Sequence, residues 1–116
     1  MFKFEKLSVW QKAITFADLI YAETRSFPSE ERFGLTNQIR RAANSIPSNI
    51  AEGSARPDGD FNRFVGYASG SLYEVVTQAT IARRQGFFAE EAYVKIYSAA
   101  EEISRMLSGL RDSLGD

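Results

Sequence analysis

The feature that most constrains this chain lies near its C-terminal end. There Tyr93, Ile96, Ala100, Ile103, Leu107, Leu110 and Leu114 recur at steps of three and four without a break. That spacing lines one stripe of an α-helix and is incompatible with the two-residue alternation of a strand. The pattern predicts a helix from about Ala89 to Leu114, and the same reading applied upstream finds three more.

The first segment runs from about Ser8 to Ser26. Ser8 followed by Gln11 matches a capping box, and Leu7, Trp10, Ile14, Ala17, Tyr21 and Thr24 form its expected core stripe. Phe27-Pro28-Ser29 ends it, because a proline disfavours helical geometry at the residue before it. The second segment starts near Ser29, with Glu30 and Glu31 suited to a positive helix start. Its stripe is Leu35, Ile39, Ala42, Ala43, Ile46 and Ile50. Pro47 lies within it, lacks an amide donor and crowds the carbonyl of Ala43, so a kink or break is expected there. Ser45, Ser48 and Asn49 can bond to nearby backbone around that proline, with Glu52 a turn further on. Gly53 and then Pro57-Asp58-Gly59 mark an exit and a loop. The third segment spans about Asp60 to Gln85, with Phe61, Phe64, Val65, Ala68, Leu72, Val75, Val76, Ala79 and Ala82 on one face and Gly86 as its stop. Short connections between four such helices favour antiparallel neighbours. The expected fold is an all-α, antiparallel up-down four-helix bundle forming one domain over residues 1–116, with its second helix kinked or broken near Pro47.

Composition narrows the chemistry. The chain has no cysteine and no histidine. Thiolate nucleophiles, disulfides and cysteine metal sites are excluded, and so are the commonest general base and the commonest metal ligand. Glu52, Asp58, Asp60 and Glu74 would act as acids or bases only if burial raised their pKa values. With no Glu-x-x-His pair and no glycine-rich phosphate loop, the reading is a protein that is not an enzyme, with no cofactor, metal or small-molecule substrate. Fourteen basic against fifteen acidic side chains give a net charge of −1, unlike the strongly basic balance of a dedicated nucleic-acid binder. No apolar run approaches the ~20 residues of a membrane span. A cytoplasmic protein is expected.

Two surfaces stand out. Between Arg63 and Arg83 the only charged residue is Glu74. The side of the third segment away from its core carries Gly66, Ser69, Gly70, Tyr73, Thr77 and Thr80. Charge depletion marks interface cores, so this face is read as a contact, most simply with another copy of the chain; close packing within the bundle is the plain alternative. Leu19, with Val9 and Phe16 at the edge of the core stripe, extends the contact to the first segment. The second surface is a polar stripe of Asn37, Arg41, Asn44 and Ser48 with Arg40 beside it and Arg56 beyond. Paired arginines and amides can grip phosphates, which makes RNA or DNA the alternative partner. An ordinary solvated face or an inter-subunit salt bridge accounts for the same residues.

The strings FEKLSVWQKA, FPSEERFGLTNQIRRAANSIPSNIAEG and FNRFVGYASGSLYEV resemble the bacterial family of proteins encoded in intervening sequences of 23S ribosomal RNA genes. The resemblance runs from about Phe4 to Leu110 and is most specific at Gln38–Ala42, Ser45–Gly53 and Ala68–Leu72. It implies an up-down four-helix bundle and a ring of subunits, five in number, with no established activity. On that reading the chain is a homo-oligomeric scaffold or adaptor, with self, protein or RNA as partner.

Overall fold

The computed structural model describes residues 1–115, and every regular element among them is helical. The four α-helices are α1 (Ser8–Thr24), α2 (Leu35–Ser54), α3 (Asp58–Arg84) and α4 (Glu90–Ser113), with short 3-10 turns at Lys3–Lys6 and Ser29–Glu31. Helix α1 packs on α2 and α4, and α3 packs on α2 and α4, so the order closes on itself around one core. The whole measures 42 × 22 × 22 Å. No helix among the described residues is long and apolar enough to cross a membrane.

The core follows the three–four stripes. Ile39, Ile46 and Ile50 of α2, Val65, Leu72 and Val75 of α3, and Ile96, Ile103 and Leu107 of α4 are all buried. Removing each such side chain from water contributes about 1.5–3 kcal/mol, which is why the stripe and not local propensity fixes these faces. Helix α3 stops just before Gly86, whose φ of +82° favours a residue without a side chain. There the Gly86 N–H donates to the Arg83 carbonyl, and the Phe87 N–H donates to that of Ala82. Together they satisfy carbonyls that the helix end would otherwise strand.

Several expectations need correction. The core stripe of α1 is Val9, Ala13, Phe16, Ala17, Ile20 and Thr24, while Ile14 and Tyr21 are exposed. Apolar side chains cover most of this helix, so two interleaved stripes compete, and the one facing α2 and α4 together wins. Phe16 is therefore a core residue, 2% exposed, and is withdrawn from the contact surface. Leu7 stands at the start of α1, and the Gln11 side chain donates back to the Glu5 carbonyl at 2.8 Å, so the expected capping box does not form. Ser29 opens a 3-10 turn, and α2 begins only at Leu35, where Glu31 accepts from the Leu35 N–H at 3.2 Å. Helix α3 begins two residues earlier than expected, directly after Pro57.

Pro47 does not break α2, which continues through it from Leu35 to Ser54. Pro47 is buried, and polar side chains secure the turns on either side of it. Ser45 donates to the Ala42 carbonyl at 2.9 Å, Ser48 to that of Asn44 at 2.9 Å, and Asn49 to that of Ser45 at 2.8 Å. Glu52 pairs with Arg56 at 3.7 Å. The α2–α3 seam is the closest in the fold. The Ser45 and Ser71 hydroxyls hydrogen-bond across it, and a Cβ on Gly53 would lie 2.6 Å from Cβ of Phe64.

Candidate functional site

The outer side of α3 carries a second stripe at helical spacing: Tyr67, Gly70, Glu74, Thr77 and Ile81. Tyr67 is 49% exposed, Tyr73 beside it 63% and Ile81 45%. A Cβ on Gly70 would meet nothing within 4 Å. Glu74 makes no ion pair among the described residues. The surface is thus aromatic, small and almost without charge, which is unusual for a helix facing water. The sequence reading found Gly70, Tyr73 and Thr77 but missed Tyr67 and Ile81. Continuing the three–four count from Gly70 in both directions would have reached them.

Gly66 and Ser69 stand at the edge of this surface, on the α3–α4 seam. A groove of about 350 Å³ runs there between Tyr73 and Tyr97 over Leu72, Val76 and Ala100. It continues past Gly66, Ser69 and Ser104 to Arg111. Thr80 belongs to the same seam, where its hydroxyl lies 3.1 Å from that of Tyr93. Leu19 is half-buried between α1 and α4, beside Ala99 and Ile103, on a different side of the molecule from Gly70.

The residues of the polar and basic stripe do not all converge. Arg40 is half-buried and clamps α1 to α2: its Nε–H donates to Thr24 Oγ1 at 2.8 Å, and its guanidinium lies 4.8 Å from the Tyr21 ring centre. Asn44 Nδ2 donates to the Tyr21 hydroxyl at 2.9 Å. Arg56 sits at the far end of α2, paired with Glu52 and over the Phe64 ring. That leaves Arg41, exposed and without an ion-pair partner among the described residues, flanked by exposed Asn37 and Asn44. Phe33 is 87% exposed just before α2, with only Arg32 over its ring. Among the described residues no cluster of three or more carboxylates could hold a metal ion.

These features define an all-α, four-helix protein whose distinguishing surface is a helix face and not a pocket. Residues 5–109 match the family described as 23S rRNA-intervening sequence protein, and the chain belongs to that family. A crystal structure of a protein of unknown function from the S23 ribosomal protein family of Bacteroides thetaiotaomicron has the same fold. The TM-score is 0.82 over 90% of this chain and 95% of that one, at 24% identity. No curated protein matches the chain.

Proposed function

We propose that this protein is a non-enzymatic, self-associating helical bundle, a scaffold whose copies meet through the outer face of α3 and close into a ring. The observation that carries the reading is that face itself, with Tyr67, Tyr73 and Ile81 exposed around an open Gly70 and Glu74 as its only charge between Arg63 and Arg83. Soluble monomers seldom leave such a surface to water. The up-down antiparallel order of the helices rests on pairs that run in opposite directions along neighbours. Lys12 pairs with Glu102 while Glu23 pairs with Lys95, and Thr80 meets Tyr93 while Gly66 faces Arg111. A local bend at Pro47 is part of the same reading, since proline has no N–H to donate to the Ala43 carbonyl. The ring of five is what the resemblance to this family implies, and a chain without histidine or cysteine supports the non-enzymatic reading.

Light scattering at micromolar concentration tests the association. The parent protein is expected to run as an oligomer, and Gly70→Glu, which adds bulk and charge to an open position, to lower its mass. A monomeric parent would sink the proposal. The second reading, RNA or DNA binding, keeps one favourable observation in the unpaired Arg41 between Asn37 and Asn44. Such binding should weaken steeply with salt, and Arg41→Ala should reduce it. If neither structured RNA nor duplex DNA binds at low salt, that role is excluded.

A further inference from the structure

The outer faces of α2 and α3 carry the same charge pattern. On α2 an arginine, Arg41, is followed eleven residues later by Glu52; on α3, Arg63 is followed eleven residues later by Glu74. Eleven residues are close to three helical turns, or about 16 Å, so each pair stays on one face. All four side chains are exposed. Arg41 and Glu74 lack ion-pair partners among the described residues, while Glu52 and Arg63 make only exposed local pairs, with Arg56 just past the end of α2 and with Asp60 of α3, at 3.7 and 3.3 Å. Two helices with this pattern, laid side by side in opposite directions, match arginine to glutamate at both places.

We infer that the ring closes by docking the outer face of α3 of one copy against the outer face of α2 of the next, with Glu74 opposite Arg41 and Arg63 opposite Glu52. This rests on the self-association proposed above and specifies its second surface. Three considerations select α2. The first is direction: α2 and α3 run antiparallel within a copy, so they also do so between copies related by rotation about an axis along the helices. The second is angle. Neighbouring helices of a four-helix bundle turn their outer faces roughly a right angle apart, and a closed ring of four or five needs contact faces at about that angle, whereas opposite faces would build a filament.

The third is height, which carries the most weight. Rotation about the ring axis leaves height unchanged, so residues that meet between copies must lie level within one copy. The Ser45–Ser71 hydrogen bond and the Gly53–Phe64 contact fix the levels of α2 and α3. From that bond Arg41 lies four residues one way along α2 and Glu74 three along α3. Glu52 and Arg63 lie seven and eight residues the other way. At the rise of an α-helix both pairs are level to within about 1.5 Å, with the offset in the same sense. The register that satisfies the charges is therefore also the one that closes without a climb. The open Gly70 then faces the small side chains Asn44 and Ser48, which lets the two backbones approach.

The absence of cysteine from the chain allows a direct test. Arg41→Cys and Glu74→Cys are made in separate copies carrying different tags, co-expressed and oxidised, and the products are separated under denaturing conditions. The mixture is expected to give one covalent dimer containing both tags, and neither variant alone to cross-link. Both substitutions in one chain should give a ladder of covalent oligomers. Charge reversal is the second arm. Arg41→Glu or Glu74→Arg alone should raise the concentration at which the oligomer dissociates by about ten-fold or more, since like charges then face each other. The double reversal should restore it while helicity stays unchanged throughout. No mixed dimer, or a dimer from Glu74→Cys alone, overturns the α2–α3 pairing. So does a double reversal that recovers thermal stability but not mass, which would place the pair within one chain. If Gly70→Glu dissociates the oligomer while the cross-link fails, association stands and this pairing falls; a monomeric parent removes both.

Discussion

Helix α3 uses small residues on two sides, and the two sides behave in opposite ways. Toward α2, smallness is consumed: Ser71 bonds to Ser45, and Gly53 lets Phe61 and Phe64 rest directly on the α2 backbone. Outward, a Cβ on Gly70 would meet nothing within 4 Å, and Tyr67, Tyr73 and Ile81 around it are exposed. A small residue inside a seam is explained by what it touches. A small residue on an open face, with exposed aromatics beside it, has no such explanation within one chain. The difference teaches that glycine content alone says little, and that what a Cβ would strike separates packing inside a chain from contact outside it.

The contrast can be broken by substitution. Gly53→Ala places a methyl group against Phe64 Cβ, where only a backbone shift can relieve it. A loss of about 1–3 kcal/mol is expected by urea unfolding, since overpacking outweighs the gain in helix propensity. Ser71→Ala removes one side of the partly buried Ser45–Ser71 hydroxyl pair and should cost about 1 kcal/mol by the same measurement. Gly70→Ala should do the reverse. In dilute protein it is expected to raise helix stability by up to about 1 kcal/mol, read as a higher melting temperature. A loss there would mean that the outer face is packed within the chain after all. Arg41→Ala should leave unfolding of the dilute protein within about 0.5 kcal/mol of the parent, as for other exposed positions without partners. A larger change would mean that Arg41 serves the fold.

How far the fold could be read from the sequence depended on how many stripes each helix carries. Helix α4 has one unbroken apolar stripe, and its Ile96, Ala100, Ile103 and Leu107 are buried as expected, while Val94 and Tyr97 off that stripe are exposed. Helix α1 has apolar residues on most of its circumference, so periodicity alone could not choose between Trp10-Ile14-Tyr21 and Val9-Phe16-Ile20; only the neighbours decide. Gly86 was legible because it follows the last periodic residue of α3. The late start of α2 was not, because Ser29-Glu30-Glu31 is a good helix opening that forms a 3-10 turn instead. At Pro47 the expectation of a break lost to burial of the residue and to the side-chain bonds around it. The charge depletion of α3 was visible in sequence. The engagement of Arg40 with Thr24 and Tyr21 was not, because it joins two helices across a turn.

The N-terminal turn carries a practical consequence for spectroscopy. The chain has a single tryptophan, and Trp10 is half-buried with the Phe4 ring edge-on at 5.2 Å from its own. Phe2 stacks on Phe4 in turn, and the Glu5 carboxylate accepts the Phe2 N–H at 2.7 Å. Intrinsic fluorescence therefore watches the first few residues peel from α1, while far-ultraviolet dichroism watches all four helices. A melt followed by both signals reports two events, and an emission change that precedes the loss of ellipticity marks the fraying of one end of the chain, ahead of cooperative unfolding.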